Sequence, residues 1–277
     1  MKKNLILAAF FSIAFPYCHA QSLVTPQLSP TEEIKQNFGL SQIEVSYSRP
    51  GVKGRKIFGD LVPYNKVWRT GANNATTITF GDDVMIEGTK LAAGKYGLLT
   101  IPGQNEWTII FTKQTDVTNP ATYKQDQDVL RVTVKPYMLP FSVETFTIGF
   151  NDITGNSCML ELMWDSVYIP VPLTTDVDTK VMTQINQLMQ QDNHPYFPAA
   201  VYYIENGKDL NQAVEWLDKA IAQNPDAYFM YYQKARALAK LGKKQDALAA
   251  SNKSIELAKA AKNDDYVALN EKLQKGL

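Results

Sequence analysis

The sequence predicts an all-β N-terminal domain, either an antiparallel sandwich or a jelly-roll-like barrel of about nine strands, followed by an all-α C-terminal tail. Two observations support this prediction. Between about residues 40 and 172, short runs that alternate apolar and polar residues are separated by Gly, Pro, Asn and Asp, with no helical pattern between them. After Pro172 the apolar residues take a helical period. We therefore assign residues 21–172 to the β-rich domain and residues 173–277 to the helical region.

The first twenty residues are predicted to be a secretory signal peptide. Two lysines follow the initial methionine, an apolar run covers residues 5–15, and small residues occupy the two cleavage positions before Gln21. A membrane-spanning helix needs about 20 apolar residues. A lipid-anchored Cys18 is the alternative, but residues 15–17 lack the small side chains that such processing prefers. We expect an exported protein, periplasmic or extracellular, without a membrane span.

Nine strands are predicted from the alternation and from the turn residues between runs. The sequence 43–47 alternates apolar and polar residues as a half-buried strand does. Residues 81–83 and residues 102–106 have hairpin-turn chemistry and are predicted to join antiparallel neighbours. The predicted strands are residues 43–47, 76–80, 84–87, 95–101, 107–112, 130–134, 143–150, 158–164 and 167–171.

The tail is predicted to start with a helix over residues 174–191, capped by Thr174 or Thr175. Ala213 and Ala247 lie 34 residues apart, which is the tetratricopeptide period. The first unit places packing residues and a terminal proline at Phe197, Ala200, Ala213, Leu217, Ala220 and Pro225. The second matches at Tyr231, Ala235, Leu238, Gly242 and Ala247, but has Ser251, Ser254 and Lys259 where the first unit has larger packing residues and proline. The helices at 174–191 and about 264–275 are expected to cap the pair.

The composition excludes most catalytic chemistry. Without the signal peptide, one cysteine, Cys158, and one histidine, His194, remain, too few for a zinc site. Cys158 begins an apolar run and is predicted to be a core residue, and His194 lies in a predicted linker. There is no phosphate-binding loop and no dinucleotide fingerprint. We therefore predict no cofactor and no metal, and the near-neutral charge gives no support for nucleic-acid binding.

One segment has an unusual concentration of positive charge. Between residues 49 and 74, here called the basic segment, six basic residues stand against one acid, with aromatic residues among them. Arginine forks beside aromatic rings suit a carboxylate, a phosphate or a sugar acid. The alternative is that these cations pair with Asp and Glu of neighbouring strands. The candidate ligand-binding residues are Arg49, Arg55, Tyr64, Trp68, Arg69 and Asn73.

Seven short runs resemble a known family, the domain-of-unknown-function family 2911. They are YSRP (47–50), GRKIFG (54–59), LVPY (61–64), VWRTGAN (67–73), IEG (86–88), AGKY (93–96) and EWTIIF (106–111). The similarity spans roughly residues 28–172, and Asn65 stands where the family is expected to have a glycine. The resemblance implies an exported protein of Gram-negative bacteria, often joined to tetratricopeptide repeats. It implies no particular reaction.

Two classes of function follow from the sequence. In the first, the protein is a non-catalytic envelope protein whose β domain binds an anionic or sugar-like ligand while the helical repeats dock a protein or peptide. In the second, it is a carboxylate-dependent hydrolase or lyase that acts on envelope glycan or peptide. A cleft with two carboxylates about 5–10 Å apart near Arg69 would favour the second class.

Overall fold

The computed structural model describes residues 25–277, so the predicted signal peptide, residues 1–20, lies outside the described residues. The chain divides into two compact units, the first ending at Thr175 and the second covering Asp176–Leu277. Among the described helices, none has the length and apolar character needed to cross a membrane.

The first unit consists of antiparallel strands. In the described chain they are β1 (Thr31–Phe38), β2 (Ser41–Ser48), β3 (Thr77–Phe80), β4 (Val84–Ile86), β5 (Thr89–Leu91), β6 (Gly94–Ile101), β7 (Trp107–Thr112), β8 (Asp128–Val134), β9 (Tyr137–Asn151) and β10 (Ser157–Thr174). The larger sheet has the order β1-β2-β3-β6-β7-β8, and the smaller has the order β5-β4-β10-β9. The predicted class, a β domain followed by a helical tail, is confirmed.

The two sheets enclose one hydrophobic core. Side chains of the larger sheet, such as Val45 and Ile78, are in the same cluster as Ile148 and Leu160 of the smaller sheet, and each is at most 1% exposed. Inward residues alternate with outward ones along β2, as the sequence pattern predicts. The domain is therefore a sandwich of two antiparallel sheets.

The strand count differs from the prediction in three places. β1 was not predicted because Ile34 and Phe38 are its only apolar residues, as suits an edge strand whose side chains are mostly solvated. β5 is three residues long, too short for a periodic signal. The two strands predicted at 158–164 and 167–171 are one strand, β10, in which the register against β9 shifts at Asp165.

The predicted hairpin at residues 81–83 is wrong. This turn carries the chain from the larger sheet to the smaller, because β3 pairs with β2 and β6 whereas β4 pairs with β5 and β10. The tight hairpin follows instead at Glu87 and Gly88, which have φ of 48° and 75°. Two successive residues with positive φ are the requirement of the type I′ turn, and glutamate is not a residue that signals it. The hairpin predicted at residues 102–106 is confirmed by the pairing of β6 with β7.

A corner at residues 47–52 joins the two sheets. After β2 the chain pairs with β9, where the Val52 N–H donates to the Glu144 carbonyl at 2.7 Å and the Phe146 N–H donates to the Pro50 carbonyl at 2.9 Å. The Tyr47 hydroxyl donates to Glu32 Oε2 at 2.5 Å and accepts the Ile148 N–H at 2.9 Å. Burial, with the hydrogen bond to Glu32, raises the pKa of Tyr47, so the hydroxyl keeps its proton.

The second unit contains, in the described chain, the helices α1 (Val177–Leu188), α2 (Tyr196–Glu205), α3 (Leu210–Gln223), α4 (Tyr228–Lys240), α5 (Lys244–Ala260) and α6 (Asp264–Lys275). The predicted caps of the first helix are wrong, because Thr174 ends β10 and the Thr175 hydroxyl donates to the Asp83 carbonyl. Asp176 is the cap and accepts the Thr179 N–H at 3.0 Å.

Small side chains let these helices pack closely. Ala213 and Ala247 are fully buried, as the 34-residue spacing predicts. Ser251 and Ser254 of α5 are also fully buried, where they bond to Asn270 of α6. The Ser251 hydroxyl donates to Asn270 Oδ1 at 2.9 Å, and Asn270 Nδ2 donates to Ser254 Oγ at 2.9 Å. A buried polar network therefore joins α5 to α6.

Candidate functional site

The basic segment is an ordered excursion between β2 and β3. It is anchored in the core by Ile57, Phe58 and Val62, which are 0%, 8% and 4% exposed. The Val62 N–H donates to the Ile57 carbonyl and the Gly59 N–H donates to the Val62 carbonyl, both at 2.9 Å, so these residues form a closed loop. Asn65 has φ of 59°, a conformation that asparagine and glycine share more readily than other residues. This accounts for asparagine at a position where glycine was expected.

Trp68 lies at the centre of an aromatic cluster. Its ring stacks on Trp164 at 5.7 Å with 16° between the planes, and contacts Phe146 at 5.1 Å between centroids. Phe58 and Trp107 complete the cluster with edge contacts. The Trp68 indole N–H donates to the Gly71 carbonyl at 3.1 Å. Because Trp68 is 8% exposed, it offers a ligand little open ring surface.

The chain leaves this cluster through a strained residue. Thr70 is fully buried and has φ of 55°, which is rare for a β-branched side chain. Its hydroxyl donates to Thr100 Oγ1 at 3.1 Å, and its carbonyl accepts the Thr76 hydroxyl at 2.7 Å. At Gly71 an added Cβ would lie 2.9 Å from Thr76 Oγ1 and 3.0 Å from the Ser48 carbonyl oxygen. The local structure thus fixes the backbone on both sides of Arg69.

A cleft of about 360 Å³ opens beside this turn. Its described lining holds three cationic side chains, Arg55, Lys66 and Arg69, and contains no Asp or Glu. The other lining residues are Ser29, Pro50, Leu61, Val62, Pro63, Val67, Trp68, Gly71, Ala72, Pro120 and Trp164. We call this cavity the basic cleft.

The two arginines of the basic cleft are held by neutral groups. Arg55 Nε donates to the Val52 carbonyl at 3.1 Å, and Arg55 Nη2 donates to the Gly51 carbonyl at 2.6 Å. Arg69 Nη1 donates to the Thr118 carbonyl. Over residues 25–277, none of the three forms a salt bridge with a carboxylate. Backbone carbonyls orient the guanidinium groups without cancelling their charge, so the cleft keeps a positive potential.

One residue of the lining carries a buried donor without a partner. Trp164, 2% exposed, contributes to the lining, and its Nε1 is buried with no hydrogen-bond partner in the described chain. A buried N–H without an acceptor costs about 1–3 kcal/mol.

The structure brings together three of the six predicted ligand-binding residues. Arg55, Trp68 and Arg69 line the basic cleft. The half-buried Tyr64 packs against the core, and Asn73 Nδ2 donates to the Ser29 carbonyl at 3.1 Å. Neither of these two lines the cleft, and nor does Arg49.

Arg49 is occupied within the fold. Its Nη1 lies 2.9 Å from Glu32 Oε1, its Nη2 donates to Thr147 Oγ1 at 2.9 Å, and its Nε donates to the Phe146 carbonyl at 3.2 Å. These contacts tie β1 and the corner to β9. The sequence also allowed that the cations of the basic segment pair with acids of neighbouring strands. For Arg49 this alternative is confirmed, since it pairs with Glu32 of β1.

The sequence prediction missed Lys66, Leu61 and Trp164. Lys66 and Leu61 are inside the basic segment, but charge and apolar character alone do not show which side chains face a cavity. Trp164 lies on β10, 96 positions after Trp68, and no local pattern connects the two. Trp164 reaches the cleft only because the two sheets pack against each other.

Other reactive groups of the described chain are inert or isolated. Cys158 is buried in the core, and burial raises the pKa of its thiol to about 11. His194, between α1 and α2, stacks on Tyr196 at 4.9 Å. Among residues 25–277, no group of three or more His, Cys, Asp and Glu side chains could hold a metal ion.

The chain matches none of the curated proteins and none of the solved structures with which it was compared. It does match the model of one family, described as "Protein of unknown function (DUF2911)", over residues 29–173. This range is more than half of the chain and ends within β10. The protein therefore belongs to the DUF2911 family.

Proposed function

We propose that the β domain is a binding domain for a small anion, which it takes into the basic cleft. One observation carries the proposal. Arg55, Lys66 and Arg69 line one cavity, and none of its described lining residues is a carboxylate. Like charges held together repel one another, and a bound anion would offset that repulsion.

The chemistry of these donors favours an anion over a neutral sugar. Arginine binds carboxylates and phosphates through paired N–H groups, and lysine adds a point charge. A sugar is usually held by an open aromatic face, but the tryptophans of the cleft are 8% and 2% exposed and cover one another. The anionic group, and not ring stacking, is the feature that the cleft can recognise.

Binding is also preferred to the hydrolase or lyase reaction considered above. That reaction needs a pair of carboxylates about 5–10 Å apart beside Arg69. The described lining of the basic cleft has none, so no observation at this site favours the reaction.

The test is calorimetric titration of the protein with acetate, inorganic phosphate and glucuronate, paired with thermal-shift measurements. We expect at least one anion to bind, and Arg69→Ala to weaken that binding roughly 10- to 100-fold, because a hydrogen bond to a charged group contributes about 1.5–3 kcal/mol. Lys56→Ala is the matched control, since Lys56 is an exposed cation of the same segment that does not line the cleft. If no anion binds, or if both variants bind alike, the proposal fails.

We further propose that the tail is a tetratricopeptide-like pair of repeats that docks a protein or peptide. The support is the 34-residue spacing of Ala213 and Ala247 and a groove of about 430 Å³ on α3, α4 and α5. Val214 and Leu238 give this groove an apolar floor, and Tyr231 and Lys243 also line it. A photo-crosslinker at Tyr231 should capture one defined partner that a crosslinker at Glu271, outside the groove, does not; identical capture at both positions would refute this part.

Export is the third part of the proposal. It is supported by the signal-peptide layout of residues 1–20. Mass spectrometry of protein from the cell envelope should find an amino terminus at Gln21. An intact Met1, or a lipid on Cys18, would overturn it.

A further inference from the structure

We infer that the ligand of the basic cleft is an amphiphilic anion: a carboxylate or phosphate head group attached to an apolar body. The inference rests on the proposed function and decides what the rest of the ligand must be. The sequence left sugar acids and simple anions equally open. The lining of the cleft distinguishes them.

Away from the three cations, few of the side chains that line the cleft are polar. Ser29 is the only described lining residue with an uncharged hydroxyl or amide side chain. Pro50, Pro63 and Pro120 are also in the lining, and proline has no backbone N–H to donate. A body rich in hydroxyl groups would find few uncharged polar side chains here to replace its hydrogen bonds to water, and each group left unpaired costs free energy.

The same lining suits an apolar body. Leu61 lines the cleft and is 46% exposed, although burial of a leucine side chain is favourable. Val62, Val67 and Ala72 are also in the lining. A bound hydrocarbon would remove part of this surface from water. The cleft volume of about 360 Å³ is also larger than a bare acetate or phosphate needs, so a simple anion would leave the apolar part in contact with water.

The loops that would contact the apolar body of the ligand are held in place by hydrogen bonds before any ligand binds. The loop at residues 57–62 is closed by its own hydrogen bonds, and the Asn65 N–H donates to the Pro102 carbonyl at 2.8 Å. Arg69 is tied to the Thr118 carbonyl, which lies two residues before the lining residue Pro120. A preformed site loses little conformational entropy on binding, so contacts with an apolar body translate into affinity.

The experiment uses ligands that share one head group and differ in the body. Acetate, butanoate and hexanoate form a series in methylene groups, and cyclohexanecarboxylate and glucuronate are six-membered rings that differ in their oxygen content. Hexyl phosphate tests whether the head group is a carboxylate or a phosphate. Each is titrated calorimetrically into the full protein, into Leu61→Ser and into Arg69→Ala.

We expect the affinity to rise about fourfold for each methylene until the cleft is filled, the equivalent of about 0.8 kcal/mol per buried CH₂. Cyclohexanecarboxylate should bind at least tenfold more tightly than glucuronate. Leu61→Ser should flatten the series, whereas Arg69→Ala should weaken every member, acetate included. Leu40→Ser is the control, because Leu40 is 50% exposed and lies outside the cleft.

The outcomes separate this inference from the proposed function. If the series is flat, or if glucuronate binds more tightly, while Arg69→Ala still weakens binding, the ligand is an anion without an apolar body and the inference is wrong. If Leu40→Ser flattens the series as Leu61→Ser does, the apolar contact lies elsewhere and the inference is also wrong. If no anion of either head group binds, the proposed function itself fails.

Discussion

Replacing Arg49 with alanine should destabilise the β domain without any ligand being involved. The substitution removes the ion pair with Glu32 and the hydrogen bonds to the Phe146 carbonyl and Thr147 Oγ1. Hydrogen bonds from a charged donor contribute about 1.5–3 kcal/mol each when removed singly. The side chains of the ion pair are 27% and 35% exposed, so solvent screens the pair and the three losses do not add. We expect a total loss of about 2–4 kcal/mol.

This loss should appear as a fall in melting temperature of roughly 5–15 °C, since 1 kcal/mol corresponds to about 2–4 °C in a domain of this size. Tryptophan fluorescence is the suitable signal, because Trp68, Trp107 and Trp164 lie in the β domain and only Trp216 lies in the tail. Arg49→Lys should recover part of the loss, since lysine restores the charge but not the fork of donors.

Arg55→Ala is the matched control within the same segment. Arg55 is exposed and bonds only to the carbonyls of Gly51 and Val52, so its loss should cost less than about 1 kcal/mol. If Arg49→Ala melts within 2 °C of the unmodified protein, or if both variants lose the same stability, the division between a structural Arg49 and a ligand-facing Arg55 is refuted.

Three further predictions concern the core and the tail. Asn270→Ala should destabilise the tail by about 2–3 kcal/mol in urea unfolding, because two buried serine hydroxyls lose a partner, and replacing those serines by alanine together with Asn270→Leu should recover most of it. If this combined variant does not recover the lost stability, the hydrogen-bond network is not the cause of the loss. Cys158 should resist iodoacetamide in the native protein at pH 8 and react in urea, since burial raises its pKa to about 11; rapid native labelling would contradict its burial. The hydrogen bond from Lys208 lowers the pKa of Asp178 below 3.8, so its stabilisation is complete above pH 3.8 and is lost as the pH falls through the lower folded-state pKa. The melting-temperature difference between the protein and Asp178→Asn should therefore shrink as the pH falls below 3.8, and a difference that does not change with pH would refute the assignment.

The sequence predicted those parts of the fold whose signal is local. β7 was predicted with its observed bounds, because residues 107–112 are β-branched or aromatic and are flanked by turn residues. β1 gave no such signal, since an edge strand with solvated side chains resembles a polar loop. The change of sheet at residues 81–83 depends on which strands pair, and a turn sequence does not record that.

The same difference between local and non-local signals explains which residues of the candidate site could be predicted from the sequence. Clustered charge singled out the segment between residues 49 and 74, in which Arg55 and Arg69 line a cleft. Charge alone could not separate them from Arg49, whose partners Phe146 and Thr147 lie almost 100 residues further along the chain. Trp164 was missed for the same reason, because its place in the cleft depends on the packing of one sheet on the other.

The corner also has a consequence for the order of folding. The hydrogen bond from Arg49 to the Phe146 carbonyl joins residues 97 positions apart, and Trp164 reaches the cleft from the last strand of the domain. Such non-local contacts can form only after a large entropy of chain closure has been overcome, so folding in milliseconds to seconds is expected. All six strands of the larger sheet precede residue 135, and β9 and β10 follow. A growing chain can therefore carry every cation of the basic segment and still lack the cleft, which exists only once the final strand has paired.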